Sequence, residues 1–260
     1  MSTKISKWPA GTPMWVDLSV DDVEAAKTFY TGLFGWEYLS ADDDAGYLLA
    51  QLNGHAIAGL GPKDDPAMPS AWTTFMASDD VNATAERIRE SGGQVLMAPF
   101  DVMDSGRMAI AADATGAVFG VWQAGNHIGA ERVNEHGSLC WNELHTSDYA
   151  EARAFYAGVF GFTYHEVTGA DMVYATCLRD SDRREVAGIH HDTQIPQSDP
   201  AYWLTWFASD DVALTAARAQ ELGATLLVPV SDTPFGRMVI VEAPQGDVFG
   251  VIAVVPATTE

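Results

Sequence analysis

Residues 15–36 read WVDLSVDDVEAAKTFYTGLFGW, and residues 141–162 read WNELHTSDYAEARAFYAGVFGF. The two segments are identical at 9 of 22 positions at an offset of 126 residues (141 − 15), which indicates an internal duplication. Each begins with an alternating apolar pattern and continues with an aspartate, a helical apolar face and a glycine. This order predicts a β-strand followed by a capped α-helix in each copy.

Shorter motifs later in the chain repeat in the same order. They are Ala-Ser-Asp-Asp-Val at 77–81 and 208–212, Gly-Arg-Met at 106–108 and 236–238, and Val-Phe-Gly-Val at 118–121 and 248–251. Each copy therefore has the size of a compact domain. We expect a first module at 1–124, a linker at 125–138 and a second module at 139–260.

The local patterns of the first module alternate between strand and helix. Predicted strands cover 15–20, 47–52, 56–60, 72–77, 94–98, 107–112 and 118–123. The first predicted helix is capped by Asp21 or Asp22 and ends at Gly35; the second is capped by Ser78 or Asp79. The predicted class is α+β, with two tandem modules, each a pair of βαβββ units forming a curved mixed sheet around a pocket.

Composition limits the classes of function. The chain has 260 residues, of which 47% are hydrophobic and 19% charged, so it is a globular protein and not a disordered one. It carries neither an apolar run of membrane-spanning length nor a cleavable signal pattern, so we expect a cytoplasmic location. A net charge of −22 disfavours nucleic acid and anionic membrane as partners and permits a cationic ligand.

Successive side chains alternate across a strand, so one face of the first strand of each module packs on a helix and the other face points away from it. The residues predicted to face away from the helix are Trp15, Asp17 and Ser19 in the first module and Trp141, Glu143 and His145 in the second.

A carboxylate in the middle of a strand needs a partner or a shifted pKa. One interpretation is a structural ion pair of Asp17 with Arg107 and of Glu143 with Arg237. The other makes these groups ligand contacts, with Asp17 and the Glu143–His145 pair as candidate catalytic acid/base residues.

Tryptophans recur at equivalent strand positions. They are typical of an aromatic core, and they are equally suited to the wall of a pocket for a flat or cationic molecule. The predicted ligand-binding set is Trp15, Ser19, Trp72, Arg107, Trp141, Trp203 and Arg237.

Several of these motifs together resemble the vicinal oxygen chelate superfamily, which includes glyoxalase I, extradiol dioxygenases, methylmalonyl-CoA epimerase and the bleomycin- and fosfomycin-resistance proteins. The motifs that carry the resemblance are Phe-Tyr-x-Gly-x-Phe-Gly at 29–35 and 155–161, Ala-Gly at 58–59 and 187–188, the Ser-Asp-Asp-Val helix start, and the closing segments at 113–120 and 243–250. The chain looks most like two-module bacterial glyoxalase-like proteins.

The resemblance implies a divalent metal held by His or Glu from four strands, in those members that use one. The matching positions here hold Trp15 and Trp141, Trp72 or Thr73 and Trp203 or Leu204, and Gly120 and Gly250, with no Glu or His near 57–60 or 186–189. We therefore expect neither the family metal nor another cofactor. A nonstandard set of His145, His190 and His191 with Glu143 is the alternative, whereas the other histidines are predicted to lie in turns or the linker.

Two functions follow from these patterns. The first is binding of a small hydrophobic, aromatic or cationic metabolite in the module cavities, as in the bleomycin-resistance branch. The alternative is an enzyme, such as an isomerase, lyase, hydroxylase-like protein or dioxygenase, that uses acid/base residues or a nonstandard metal site. Since single-module relatives pair two modules, we expect either a monomer with its modules paired or a homodimer.

Overall fold

The computed structural model describes residues 3–42, 46–167 and 172–253. The elements of the first module are β1 Pro13–Val20, α1 Val23–Phe34, β2 Glu37–Asp42, β3 Tyr47–Leu52, β4 His55–Pro62, β5 Ala71–Ala77, α2 Val81–Glu90, β6 Gln94–Val102, β7 Gly106–Ala112 and β8 Val118–Ala124. This order is β-α-β-β-β twice, as predicted. The strand β2 was not among the predicted segments, and β6 extends beyond the predicted 94–98.

The second module repeats this order. Its elements are β9 Leu139–Thr146, α3 Tyr149–Phe160, β10 Thr163–Val167, β11 Tyr174–Leu178, β12 Glu185–His191, β13 Tyr202–Ser209, α4 Val212–Glu221, β14 Thr225–Thr233, β15 Gly236–Glu242 and β16 Val248–Ala253. The duplication in sequence is therefore a duplication of structure.

Local capping explains where the helices begin and end. The Asp22 carboxylate accepts a hydrogen bond from the backbone N–H of Ala25, and Gly35 ends α1 in the left-handed region at φ 73°. In the second unit, Asp80 caps α2, so the prediction of Ser78 or Asp79 was wrong. The Ser78 hydroxyl instead accepts from the backbone N–H of Asp80, one residue before the helix.

Each module forms one mixed eight-stranded sheet. The strand order is β2-β3-β4-β1-β5-β8-β7-β6 in the first sheet and β10-β11-β12-β9-β13-β16-β15-β14 in the second. The rings of Tyr174 on β11 and Phe235 beside β15 lie 5.5 Å apart, although five strand steps separate those strands. A flat sheet would hold them roughly 24 Å apart, so the sheet curls. We call the inner face of each sheet, which is turned away from the helices, a cup. The first cup belongs to the first module and the second cup to the second module.

The hydrophobic cores run between the modules. One core joins α1 and β1 to α4, β15 and β16 of the other module; the second joins α2, β7 and β8 to α3, β9 and β12. Arg87 on α2 donates to the carbonyl of Val159, and Arg218 on α4 donates to the carbonyl of Gly32. The modules are thus paired within one chain through two equivalent interfaces.

Buried polar chains cross both interfaces. Trp203 Nε1 donates to Tyr156 Oη at 2.8 Å, and Tyr156 Oη donates to Asp113 of the other module at 2.9 Å. The twin chain links Trp72, Tyr30 and Asp247. The tyrosine of each Phe-Tyr-x-Gly-x-Phe-Gly motif therefore pins one module to the other.

No helix within residues 3–42, 46–167 and 172–253 is long and apolar enough to cross a membrane. Cys140 and Cys177 are free thiols.

Candidate active site in the second cup

Strand β9 brings three of the predicted site residues onto one face. Leu144 packs into the intermodule core behind the strand. The residues on either side of it, Glu143 and His145, face the second cup, because side chains alternate along a strand. His145 Nε2 lies 2.8 Å from Glu143 Oε1. The predicted Glu143–His145 pair is therefore in contact.

A second carboxylate holds the other side of the imidazole ring. His145 Nδ1 lies 3.0 Å from Asp192 Oδ2, just beyond the end of β12. Burial acts to lower the pKa of His145, but the carboxylates of Glu143 and Asp192 outweigh it, and the pKa of His145 is raised. Since the His145 side chain is 8% exposed, this charge chain is almost closed to solvent.

The strands that flank β9 complete the cluster. His190 on β12 and Tyr202 on β13 both pair in register with His145. The His145 and His190 rings lie 5.0 Å apart at 80°, and the His145 and Tyr202 rings stack at 5.0 Å and 7°. Burial, followed by the neighbouring charge of His145, lowers the pKa of His190. Glu143, His145 and His190 each turn one ligand atom towards the others, all within 4.8 Å.

Aromatic residues surround the cluster inside the second cup. Trp141 Nε1 donates to Tyr174 Oη at 3.0 Å. This arrangement needs a glycine beneath it, because a Cβ atom on Gly188 would lie 1.9 Å from Tyr174 Oη. The Ala-Gly motif therefore makes room for the tyrosine.

Three buried polar atoms in the second cup have no well-aligned hydrogen-bond partner in the described part of the chain. They are His145 Nε2, Thr176 Oγ1 and Trp206 Nε1. Thr176 pairs with Gly188 and Trp206 pairs with Trp141, so both side chains face the cup. A buried unpaired polar atom costs about 1–3 kcal/mol, and three in one cup point to something that would pair with them.

The first cup keeps the carboxylate but encloses it. Tyr47 Oη donates to Asp17 Oδ1 at 2.5 Å, and Trp15 Nε1 donates to the same oxygen at 2.7 Å. Burial raises the pKa of Asp17 to about 6, although these two hydrogen bonds oppose the shift. A Cβ atom on Gly59 would lie 1.8 Å from Asp17 Oδ1, so this glycine makes room for the carboxylate.

The segment between the modules supplies another side chain to the first cup. The His127 ring lies 4.4 Å from the ring of Trp15 and 5.5 Å from that of Trp122. Burial lowers the pKa of His127 to about 4, although the negative charge of Glu131 acts to raise it. His127 lies in the linker, as predicted, and from there it packs against the first cup's tryptophans.

The polar cluster of the second cup has no counterpart in the first. Ser19 occupies the position of His145, Gly61 pairs with it where His190 does, and Ala71 pairs with it where Tyr202 does. The two copies therefore differ at all three positions around the imidazole.

The predicted arginine partners are elsewhere. Arg107 binds Asp101 at 2.8 Å and Arg237 binds Asp232 at 2.9 Å. Each pair lies directly across a β-hairpin, so the arginine meets its cross-strand neighbour before it can reach β1 or β9. The predicted pairs Asp17–Arg107 and Glu143–Arg237 do not form.

Trp72 and Trp203 also lie away from the cups. Trp72 pairs with Leu18 and Trp203 with Leu144, and residues paired across a sheet share a face. Both tryptophans are therefore on the helix side, in the intermodule cores. The prediction that they line a ligand pocket was wrong.

Sequence reasoning missed Asp192, Tyr174 and Tyr202. The signal for Asp192 was available: Glu-x-His on β9 and His-x-Asp at 190–192 are both i, i+2 pairs, which place two polar side chains on one face.

A cleft of about 420 Å³ also lies between the modules, lined in part by Asp79, Arg87 and Phe160. Its lining includes no residue of the cluster.

The sequence profile of the glyoxalase/bleomycin resistance protein/dioxygenase superfamily matches residues 13–121 and 138–251. The chain belongs to this superfamily. It is 42% identical to the "putative glyoxylase CFP32" of Mycobacterium bovis, over 97% of this chain and 98% of that protein. It is 35% identical to the "anthracycline biosynthesis protein DnrV" of Streptomyces peucetius, over 95% of each.

Solved structures of the superfamily share the fold. The Mn(II)-bound glyoxalase from Novosphingobium aromaticivorans has a TM-score of 0.67 and 18% identity, covering 94% of this chain and 82% of that one. The 2,3-dioxygenase LapB from Pseudomonas sp. KL28 has a TM-score of 0.68 and 13% identity, covering 95% and 93%. At these identities the likeness concerns the fold.

The superfamily's expected metal positions do not fit a metal in this chain. Trp141, Leu204 and Gly250 offer no imidazole or carboxylate, and a Cβ atom on Gly250 would lie 2.1 Å from the ring of Trp206. The cluster of Glu143, His145 and His190 offers ligand atoms of the kind that transition metals take. Of the nonstandard set predicted as the alternative, Glu143, His145 and His190 come together, whereas His191 pairs with Thr146 and is not part of the cluster.

Proposed function

We propose that this superfamily member binds a small, flat aromatic compound with hydroxyl or carbonyl oxygens in its second cup. The observation that carries the proposal is that two buried polar atoms there, Thr176 Oγ1 and Trp206 Nε1, have no hydrogen-bond partner in the described residues, beside a His145 Nε2 that meets Glu143 without hydrogen-bond alignment. Oxygens of a bound compound would pair with the tryptophan N–H and the threonine hydroxyl.

The aromatic side chains around the cluster support a flat ligand. Tyr202 at the rim is 44% exposed, and Phe235 on the opposite hairpin is 41% exposed. Aromatic rings with one wet edge are suited to a ligand that stacks and also offers polar groups. The name of one relative, an anthracycline biosynthesis protein, supports fused aromatic rings with oxygen substituents as the ligand class.

The test uses 1,4-dihydroxyanthraquinone as a probe. Tryptophan fluorescence and native mass spectrometry should show one molecule per chain. Glu143→Gln should weaken binding about tenfold, since it disturbs the charge chain that holds His145. The matched control, Asp17→Asn in the first cup, should bind as the wild type does. Equal weakening by both variants, or two probes per chain, would overturn the proposal.

A second candidate function is conversion of the bound compound at the Glu143–His145 pair. It is favoured by one observation: Asp192 holds the imidazole through Nδ1, so that Nε2 is directed to Glu143 at 2.8 Å. A positioned imidazole is the usual centre of such chemistry. Incubation of the probe with the protein in water, followed by liquid chromatography and mass spectrometry, should reveal an isomer or a water adduct that His145→Asn does not produce. An unchanged probe would leave the chain as a binding protein.

A further inference from the structure

We infer that Glu143, His145 and His190 bind one divalent first-row transition metal ion in the second cup. This goes beyond the proposed function, since an ion can bind there whether or not an aromatic compound does. It is also a different set of positions from those at which the superfamily's ligands were expected.

The hydrogen bond to Asp192 decides which imidazole nitrogen is free. In a neutral imidazole one ring nitrogen donates and the other accepts. His145 Nδ1 lies 3.0 Å from Asp192 Oδ2, so in the neutral, metal-binding form of the ring Nδ1 carries the proton and Nε2 carries the lone pair. A carboxylate that holds the far nitrogen of a histidine is the usual support for a metal ligand.

Two potential ligand atoms face each other. His145 Nε2 and Glu143 Oε1 lie 2.8 Å apart, yet Nε2 has no aligned hydrogen-bond partner in the residues that the structure describes. At this separation either a proton or a metal ion has to lie between or beside the two atoms, and metal binding would release that proton. A metal ion that binds both atoms satisfies them together.

His190 supplies the third ligand from the neighbouring strand. The parallel register of β9 and β12 sets His190 opposite His145, so its position follows from backbone pairing and not from a mobile loop. Two imidazoles and one carboxylate suit Mn, Fe, Co, Ni or Zn in preference to Ca or Mg. The net charge of −22 raises the local concentration of cations.

The ion would leave coordination positions open towards the cup, because three protein ligands do not complete its shell. There it would act as a Lewis acid on an oxygen of the bound compound. The chain's own residues hold the ligands in place: Asp192 orients His145, and Tyr202 stacks on its ring.

The test is a titration of the full-length, EDTA-treated protein with Co²⁺, followed by visible absorption and calorimetry. We expect one Co²⁺ per chain. His190→Asn should weaken Co²⁺ binding at least tenfold, because it removes one of three ligands. Asp192→Asn should also weaken it, by about tenfold, through the orientation of His145.

Asp17→Asn serves as the control, because it changes the first-module counterpart of Glu143; its Co²⁺ affinity should equal that of the wild type. Thermal unfolding by circular dichroism establishes that each variant is folded. The inference is wrong if the folded wild type takes up no Co²⁺, or if His190→Asn binds it as tightly. Probe binding measured in EDTA separates the two proposals, since it tests the aromatic site without the ion.

Discussion

The two cups are copies of one design that have diverged at the ends of their central strands. Both keep a tryptophan, a carboxylate and a tyrosine in contact, above a glycine that leaves them space. Two residues after this carboxylate on the central strand, the second cup has His145, and the first has Ser19. The two cups therefore share the carboxylate, and they differ in the imidazole groups beside it, which are replaced by Ser19 and Gly61 in the first cup.

The difference also extends to how each cup treats its polar atoms. In the first, Asp17 accepts from two donors, and one buried polar atom, Nε2 of His127, lacks a partner in the described residues. In the second, three buried polar atoms lack aligned partners in the ranges that the structure describes. Paired polar groups stabilise a fold, whereas unpaired ones are retained at sites that bind something.

The largest effect should come from giving the second cup the residue of the first. His145→Ser removes the imidazole that Glu143 and Asp192 hold, so the affinity for 1,4-dihydroxyanthraquinone should fall about 100-fold. Ser19→Ala is the matched change in the first cup, and its affinity for the probe should stay within about twofold of the wild-type affinity. Fluorescence titration measures both. A comparable loss in Ser19→Ala would mean that the first cup also binds the probe.

The next effect concerns the glycines on which the tyrosines rest. Gly59→Ala and Gly188→Ala each place a Cβ atom within 2.0 Å of a tyrosine oxygen. Each should lower the free energy of unfolding by roughly 2–3 kcal/mol, measured in urea, because the tyrosine has to move. Only Gly188→Ala should also weaken probe binding. If both variants have the wild-type free energy of unfolding, the tyrosines do not pack tightly on these glycines.

A smaller effect should appear as a pH dependence in the first cup. The folded pKa of Asp17 is about 6, above its ordinary 3.8, so Asp17 adds stability as pH falls from 7 to 4. The folded pKa of His127 is about 4, below its ordinary 6.5, so His127 removes stability over the same interval. The two contributions oppose each other in the wild type.

Asp17→Asn should unmask the loss caused by His127. The change in unfolding free energy from pH 7 to pH 4 should become less favourable by about 2 kcal/mol than in the wild type. His127→Gln should shift it in the opposite direction. Urea unfolding at several pH values measures this, and identical profiles for the wild type and Asp17→Asn would refute the assignment.

The smallest effect should come from Trp206→Phe. Phe75 holds the equivalent position in the first cup, so a phenyl ring is accommodated there; the change removes the unpaired N–H and part of the indole ring. These two losses act on stability in opposite directions, so it should change by less than about 1 kcal/mol, while probe affinity should fall about fivefold. Phe75→Leu, a change in the first cup, should leave the affinity unaltered. Unaltered affinity in Trp206→Phe would remove its N–H from the ligand site.

Sequence patterns predicted the scaffold well because the relevant signals are local. The Asp22 cap, the Gly35 stop and the period-2 face of β9 depend on residues near one another in the chain. The Glu143–His145 contact followed from the same alternation. Cytoplasmic location and the domain limits stay predictions.

The predictions that were wrong concern residues whose neighbours are set by the register between strands. Trp72 and Trp203 were placed on the wrong face, because an alternating pattern does not state which face packs on a helix when both are apolar. Arg107 was assigned to Asp17 because the hairpin that brings it to Asp101 could not be aligned from sequence. The approach of His190 to His145 likewise required the parallel pairing of β9 and β12.

The shared cores bear on how such a duplication persists. Directly behind His145, Leu144 packs in a core that contains Met76, Val81 and Ile88 of the first module. A change confined to the first cup leaves this core intact, whereas loss of the first module would remove the support behind the strand that carries the cluster. The first module is therefore needed for the second site even if its own cup binds nothing.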